Sequence, residues 1–405
     1  MSNKTIDAKG EITGLREKKL FNEAIQYQKE GKYKESENCY RILLKEDIND
    51  PILFSNLSVI LTQTSRIEEA INLLDKSISI HPNNHLAYSN LATIYMQKGQ
   101  TDKAKDLIKK SIEIKSDNAD AYITLGAILK RKGLCKDAEI ATRKALELKP
   151  EMALGHFNLG IICTDNSKLD EAQSCFKKVL KIIPNHAETY SLMGKNFYKL
   201  KNLNEAEVYM RQAIQLSPNN ADNYFTISNI LIDLGRKNDA EISLRKAIEI
   251  NPNHSESYCN LGNILKDLGK YDQAAIKLKK SITLNSNCAE AYSNLGAVLI
   301  ELNELKEAEE LLIKSINLKP DFTQAYLNLG NIYTTQNKLD EAEESFRKVL
   351  EIDNNNAYAN YKLSQLYCLR NNFKDALNEI EKAINKDPTN FIYLGESTRI
   401  KYLLE

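Results

Sequence analysis

The chain has 405 residues, 42% of them hydrophobic, and carries 55 Lys+Arg against 55 Asp+Glu. This zero net charge provides no electrostatic argument for binding nucleic acid or an anionic membrane. The N-terminus lacks the apolar core of a signal peptide, no window approaches the ~18 apolar residues of a membrane span, and the seven cysteines include no C-x-x-C. We therefore expect a soluble protein of the cytoplasm.

One pattern recurs every 34 residues from 17 to 390, without insertion or deletion. In the unit 289–322, an apolar stripe that ends at Leu299 predicts a first helix of period 3.6. A second stripe through Ala308 predicts a second helix, which Pro320 ends. Because a single pair of amphipathic helices cannot cover its own apolar stripes, the pairs must stack on one another.

In chain order, residues 1–16 are predicted to be a polar, frayed leader. Residues 391–405 are predicted to form a capping helix, with the alternative that related chains continue there into a further domain. Between them we expect eleven repeats, each numbered from position 1 to position 34: 17–50, 51–84, 85–118, 119–152, 153–186, 187–220, 221–254, 255–288, 289–322, 323–356 and 357–390.

Small and helix-breaking residues fall at fixed positions of the repeat. Position 20 is alanine in ten repeats and Ser36 in the first, and position 8 is glycine in six. Since glycine inside a helix costs about 1 kcal/mol relative to alanine, we expect close contact between the two helices at these positions. Five glycines at position 15 predict the turn between the helices, and seven of the eight prolines occupy position 32, at the end of the second helix.

A family resemblance rests on one motif, which reads Tyr292-x2-Leu295-Gly296, then Ala308-x3-Leu312 and Pro320. It resembles the signature of the tetratricopeptide repeat, and the resemblance covers 374 of 405 residues. It implies an all-α fold, a right-handed α-solenoid superhelix of about eleven helix-turn-helix repeats. The slightly longer pentatricopeptide repeat, which binds RNA, is the nearest alternative, but the strict 34-residue step and the zero net charge argue against it.

Metal, cofactor and catalytic sites are not indicated. His81 and His85 are four residues apart but separated by Pro82, whereas His186 and His254 both fall at position 34, in the joint between repeats. We interpret these histidines as joint residues and the scattered cysteines as packing thiols, because no zinc spacing occurs. No nucleotide-binding or hydrolase motif is present, and flanks of 16 and 15 residues are too short for a catalytic domain. We predict no catalytic residue, no metal, no cofactor and no enzyme activity.

Asparagine is concentrated at one exposed position of the first helix. Positions 2, 6, 9 and 13 lie opposite the apolar stripe. Position 6 is asparagine in seven of eleven repeats. Random placement of the chain's 42 asparagines would put about one at this position. Asparagine is a poor residue for a helix interior, and packing does not explain it. The alternative is that an asparagine-rich composition fills exposed sites. The seven residues are Asn22, Asn56, Asn90, Asn158, Asn260, Asn294 and Asn328.

In the tetratricopeptide family the first helices line the inner wall, which would place this stripe in a concave groove. The arrangement resembles the asparagine ladder in the repeat arm of protein O-GlcNAc transferases, which holds an extended peptide by its backbone. An amide suits that task because it offers a donor and an acceptor together. The ladder is interrupted at Thr124, Leu192, Thr226 and Lys362, which leaves one segment in repeats 1–3 and 5 and another in repeats 8–10.

The predicted lining of the groove changes along the chain. Repeats 2, 3 and 5 add the apolar residues Ile52, Val59, Leu86, Leu154 and Ile161. Repeats 6–9 add acidic residues at position 2, and repeats 7–9 add them at position 13: Glu188, Asp222, Glu256, Glu290, Asp233, Asp267 and Glu301. Repeats 3 and 4 together carry a net charge of +4, and repeats 9 and 10 together carry −7, so we expect a partner segment with Lys or Arg. The candidate groove residues are Asn56, Asn90, Asn158, Asn229, Asn260, Asn263, Asn294, Asn328, Asn331, Glu256 and Glu290.

The predicted function is that of a non-enzymatic scaffold for protein–protein interaction, with an extended protein segment as partner and neither nucleic acid nor membrane. The alternative, from another class, is the substrate-binding arm of a protein glycosyltransferase whose catalytic domain is absent from this chain. A heat-shock-protein tail is not the expected ligand, because no repeat combines Lys at position 5 with Asn at position 9.

Overall fold

The structure is a computed structural model that describes residues 14–404. Of these residues 80% are helical, and none lies in a strand, which confirms the all-α fold. The predicted leader lies outside the described residues as far as residue 13, and the first helix already begins at Leu15. No helix in this range combines the length and the apolar character needed to cross a bilayer.

The described chain divides into two compact units, 14–200 and 201–404. The helices of the N-terminal unit are α1 (Leu15–Lys29), α2 (Tyr33–Lys45), α3 (Pro51–Gln63), α4 (Ile67–Ile80), α5 (His85–Gln97), α6 (Thr101–Ile114), α7 (Ala119–Arg131), α8 (Cys135–Leu148), α9 (Ala153–Asp165), α10 (Leu169–Ile182) and α11 (Ala187–Lys199).

The C-terminal unit continues in the same register and ends with a helix in the predicted capping segment. Its helices are α12 (Leu203–Leu216), α13 (Ala221–Asp233), α14 (Lys237–Ile250), α15 (Ser255–Asp267), α16 (Tyr271–Leu284), α17 (Ala289–Glu301), α18 (Leu305–Leu318), α19 (Thr323–Thr335), α20 (Leu339–Ile352), α21 (Ala357–Leu369), α22 (Phe373–Lys386) and α23 (Phe391–Leu404).

From α3 onward, each first helix spans positions 1–13 of its repeat and each second helix spans positions 17–30. The residue at position 15 has a positive φ in all eleven repeats, which turns the chain from one helix into the next. Sequence reasoning identified only the five glycines at this position. The other six residues adopt the left-handed conformation at φ between 57° and 63°, and three of them are asparagine, which tolerates it best after glycine. These six are Ser65, Ser167, Lys201, Asn303, Asn337 and Asn371.

Position 34 provides the cap of the following first helix. Asp50 accepts hydrogen bonds from the backbone N–H groups of Ile52 and Leu53, at 2.8 and 3.1 Å. Nδ1 of His186 and of His254 accepts from a backbone N–H in the same way. These two histidines therefore satisfy N–H groups that a helix start leaves unpaired. In residues 14–404, no three His, Cys, Asp or Glu side chains come together as metal ligands.

Each helix pair is held together at its smallest residues. The alanines at position 20 have no exposed surface, and Ser36, their counterpart in the first repeat, donates its hydroxyl to the Ala24 carbonyl at 2.7 Å. A Cβ added to Gly296 would lie 2.8 Å from Cγ of Leu312, on the second helix of the same repeat. Glycine lets Leu312 approach this closely, which explains why a helix-weakening residue occupies position 8 of this repeat.

Neighbouring repeats meet mainly where the second helix of one repeat packs on the first helix of the next, as α8 does on α9 and α16 on α17. First helices of neighbouring repeats also contact each other: α3 contacts α5, α5 contacts α7 and α7 contacts α9 in the N-terminal unit, and α15 contacts α17 and α17 contacts α19 in the C-terminal unit. We define the first-helix face as the side chains at positions 2, 6, 9 and 13 of the first helices, and we consider it separately in each unit.

Candidate functional site

The first-helix face of the N-terminal unit contains three of the predicted groove asparagines, Asn56, Asn90 and Asn158, all partly exposed. Nδ2 of Asn56 donates to the hydroxyl of Tyr40 at 3.1 Å. Nδ2 of Asn90 donates to the Ser55 carbonyl and to the Ser58 hydroxyl, both at 3.1 Å. In both cases the partner belongs to the preceding repeat, so these amides connect repeats to each other.

Asn158 differs from the two asparagines before it. Its side chain makes no hydrogen bond within residues 14–404, and it lines an open cleft of about 410 Å³ between α7 and α9. Ile161, Arg131 and Asp165 line the same cleft. An amide with both groups available, next to apolar and charged side chains, can bind a polar backbone group of a ligand.

The apolar part of the N-terminal face is open to solvent. Ile52 is 47% exposed and Leu154 is 53% exposed, although both lie on helices that bury several of their other apolar residues. Leu86, Val59 and Ile161 are partly exposed. The sequence analysis predicted these five residues as an apolar lining, and the structure leaves all of them accessible.

In the C-terminal unit, two predicted asparagines form a pair across repeats. Nδ2 of Asn260 on α15 donates to Oδ1 of Asn229 on α13 at 2.7 Å. This bond leaves Oδ1 of Asn260 and Nδ2 of Asn229 without a partner in the described part of the chain, so the pair presents one acceptor and one donor. Asn263 and Asn331 are partly exposed and make no side-chain hydrogen bond among the described residues.

Asn294 and Asn328 are the remaining asparagines of this face. Nδ2 of Asn294 lies 3.8 Å from Sγ of Cys259 in the preceding repeat. Asn328 is nearly buried and accepts a hydrogen bond from Nε2 of Gln324 at 3.2 Å. The sequence argument that packing does not explain asparagine at position 6 is therefore incomplete, because several of these amides contact the preceding repeat.

Acidic side chains flank the amides of the C-terminal face, and their degree of pairing varies. Glu290 forms an ion pair with Lys319 at 3.1 Å. Its pKa lies below the usual value because its own backbone N–H and the Lys319 ammonium stabilise the carboxylate. Glu256 accepts a hydrogen bond from the Ser255 hydroxyl at 3.0 Å and has His254 at 3.6 Å. Asp233 and Glu301 are exposed and have no cation within ion-pair distance among the described residues.

Two other acidic residues of this face have partners that were not identified from the sequence. Asp267 forms an ion pair with Lys237 at 2.6 Å, and Asp222 lies 3.2 Å from Nε2 of His254. The pairing lowers the charge that the face presents to a ligand. The unpaired carboxylates of Asp233, Glu301 and Glu256 therefore account for most of its acidic character.

Known protein families match most of the chain. Models described as tetratricopeptide repeat match residues 61–129, 154–186, 187–220, 221–254, 243–275, 288–319 and 323–356, and one described as TPR repeat matches 262–301. No curated protein sequence is similar enough to be matched.

Solved structures with the same type of fold include the APC/C hetero-tetramer Cut9–Hcn1, with 15% identity, a TM-score of 0.55, and coverage of 94% of this chain and 89% of that chain. Yeast Tom70 is 14% identical with a TM-score of 0.44, covering 96% of this chain and 95% of that one. YrrB, described as a TPR protein with an unusual peptide-binding site, is 24% identical with a TM-score of 0.40, covering 46% of this chain and 95% of that one.

The Cut9–Hcn1 likeness concerns the fold alone, whereas the family matches rest on sequence and together span most of the chain. They agree with the 34-residue step of the helix pairs and with the small residues between them. The chain belongs to the tetratricopeptide repeat family.

Proposed function

We propose that the chain is a non-catalytic scaffold that binds extended segments of other proteins along its first-helix face. The face of the C-terminal unit binds segments that carry Lys or Arg. The observation that carries this proposal is the Asn260–Asn229 pair, which leaves a free amide donor and a free amide acceptor on an exposed face, with Asn263 and Asn331 unpaired nearby.

An extended backbone matches this arrangement of amides. Packed helices lie about 8–10 Å apart, and an extended chain rises about 3.3 Å per residue. Successive first helices can therefore present one amide for about every three residues of a bound segment. Each side-chain bond to a peptide unit is worth only about 0.5–1.5 kcal/mol. Because ordering a segment costs several times that amount, several amides must act together.

Charge determines which segments the C-terminal face prefers. Asp233, Glu256 and Glu301 have no Lys or Arg within ion-pair distance in residues 14–404, so a Lys or Arg of a bound segment can pair with them without displacing an internal Lys or Arg. Such pairs mainly accelerate association and disfavour acidic segments. The amides contribute affinity that is independent of side-chain sequence, and the carboxylates contribute selectivity.

A selection from a display library of random linear peptides tests the proposal. We expect the full chain to enrich peptides with Lys and Arg and without a helical pattern, and fluorescence anisotropy of the enriched peptides to give saturable binding. A matched control replaces Lys280, Lys306 and Glu310, three exposed residues of α16 and α18, by Ala and should leave binding unchanged. Enrichment of acidic or amphipathic helical peptides, or loss of binding in this control, would contradict the proposal.

A further inference from the structure

Within a repeat, the side chain at position 5 faces the side chain at position 34. In repeat 2, Nδ2 of Asn84 lies 3.4 Å from Oγ of Ser55. In repeat 5 the rings of Phe157 and His186 have centroids 5.1 Å apart, and in repeat 7 Phe225 and His254 show the same distance. The contact thus recurs in repeats 2, 5 and 7, although different residues occupy the two positions.

Repeat 8 is the repeat that has cysteine at both of these positions, Cys259 and Cys288. Cys259 lies on α15, and Cys288 is the residue that precedes α17, so the pair connects the first helices of two neighbouring repeats. The contact between positions 5 and 34 seen in the other repeats places the two thiols next to each other, and each shifts the pKa of the other. Neither cysteine is in a disulfide in the structure.

The two sulfurs have different surroundings. Cys259 is buried, and its pKa is raised because its S–H donates to Cys288 and because burial disfavours the thiolate. Cys288 is partly exposed at a helix N-terminus, and the hydrogen bond from Cys259 lowers its pKa despite the nearby Glu290 carboxylate. An exposed thiolate next to a protonated thiol is the arrangement of a reactive cysteine with its resolving partner.

We propose that Cys259 and Cys288 are an oxidation site at which hydrogen peroxide forms a reversible disulfide between α15 and the start of α17. The Cys288 thiolate attacks one peroxide oxygen, the O–O bond breaks, and the leaving hydroxide takes up a proton as water. The Cys259 sulfur then attacks the sulfenic sulfur of Cys288, and its own proton leaves with the departing hydroxide as a second water. Two thiols lose two electrons, and the peroxide gains them.

The chain contains a second cysteine pair that serves as an internal control. Cys163 and Cys175 lie in repeat 5, and both are buried. Burial raises the pKa of Cys163 to about 12 and also raises the pKa of Cys175. Neither sulfur has thiolate character or access to solvent, so peroxide should leave this pair unchanged.

Oxidation would also affect the first-helix face, a consequence that rests on the proposed function. Asn294 points its Nδ2 at Cys259 Sγ, 3.8 Å away. A disulfide changes this acceptor and constrains α15 against α17, beside the amide that we propose contacts the bound segment. Peptide affinity should therefore differ between the reduced and oxidised chain, but the disulfide itself can form whether or not the face binds peptides.

The experiment is peptide mapping by mass spectrometry after the reduced full chain is treated with one equivalent of hydrogen peroxide. We expect a Cys259–Cys288 cross-linked peptide as the main product, reversible by dithiothreitol, with Cys163 and Cys175 still free. Before oxidation, Cys288 should be alkylated about tenfold faster than the other cysteines, because it has the larger thiolate fraction. In the C259S variant, a sulfenic-acid probe should label Cys288.

Three outcomes would overturn the proposal. They are oxidation of Cys288 to sulfinic acid while Cys259 stays free, a main product that links any other pair of cysteines, and alkylation of Cys288 no faster than that of Cys163. All three are measured on the wild-type chain, so they do not depend on the folding of a variant. A disulfide that forms without changing peptide affinity would leave this proposal intact and count against the proposed function.

Discussion

The two units present different surfaces on the same framework. In the N-terminal unit, the first-helix face has exposed apolar side chains such as Ile52 and Leu154, and Asn56 and Asn90 direct their amides to the preceding repeat. In the C-terminal unit, unpaired carboxylates and amides remain available. Since the core positions are the same in both units, the difference shows that the fold does not restrict which residues occupy the face. Under the proposed function, these residues determine which segments are bound.

The largest effect is expected from removing the amides of the C-terminal face. Replacing Asn260, Asn294 and Asn328 together by Ala should weaken binding of a selected basic peptide about 10- to 1000-fold, or ~1.5–4.5 kcal/mol. The reason is that the position 6 amides of three successive repeats are lost together. Fluorescence anisotropy measures the affinity.

The matched variant is N56A/N90A in the N-terminal unit. This variant also removes side-chain hydrogen bonds between repeats. Its loss of stability should be comparable to that of the triple variant, at about 0.5–1.5 kcal/mol for each bond. Its affinity for the basic peptide should stay the same. Equal losses of affinity in the two variants would mean that the asparagines act only on packing between repeats.

Neutralising the carboxylates of the C-terminal face should have a smaller effect that depends on salt. The variant D233N/E256Q/E301Q should bind the basic peptide about 10- to 100-fold more weakly at low ionic strength, since each exposed pair contributes up to ~1 kcal/mol. The difference should shrink as salt is added. Titration at several salt concentrations measures it.

The control carries the same change of charge on the second helices. Glu310, Glu344 and Glu381 are exposed on α18, α20 and α22 and have no ion pair among the described residues. Their replacement by Gln should leave affinity within about twofold, because rim charges contribute little. A loss equal to that of the first triple would assign the effect to overall charge and not to the first-helix face.

A packing variant tests the framework that the two units share. Gly296→Leu should cost about 1–3 kcal/mol in stability, because the new side chain must displace Leu312. Gly395→Leu in α23 is the comparison, since a Cβ added there meets nothing within 4 Å, and it should not destabilise. Hydrogen exchange in repeat 9 measures the first effect. Unchanged protection would mean that the helix contact is looser than described.

The smallest effect is expected in the N-terminal unit. Replacing Ile52 and Leu154 by Ala should change stability by less than about 0.5 kcal/mol, because both side chains are about half exposed. Binding of the basic peptide should not change, whereas binding of an apolar extended peptide should weaken. Thermal unfolding and anisotropy measure the two quantities. A clear loss of stability would show that these residues pack against the chain itself.

The sequence predicted the fold because its periodicity and its small residues report directly on helix packing. This pattern predicts the helix pairs, the close contact at Gly296 and the turns at position 15. It did not predict that Lys201 or Ser65 would adopt a left-handed turn, since those residue types carry no such signal. There the neighbouring helices determine the backbone conformation.

The candidate site was predictable in position but not in detail. Amphipathicity places positions 6 and 9 on an exposed face, but the pairing of Asn260 with Asn229 depends on the offset between neighbouring repeats. The contact of Cys259 with Cys288 was missed for a different reason. Cys259 and Cys288 are 29 residues apart in the sequence, and the contact between positions 5 and 34 becomes visible only in three dimensions.

Photo-cross-linking of a selected basic peptide tests the central claim most directly. The peptide carries a diazirine at successive positions, and mass spectrometry identifies the labelled residues of the full chain. The account predicts labels on α13, α15, α17 and α19 at positions 2, 6, 9 and 13, advancing from one first helix to the next as the diazirine moves along the peptide. Labels on the second helices, for example at the exposed Ile242 and Ile276, would place the binding surface on the opposite side and contradict it.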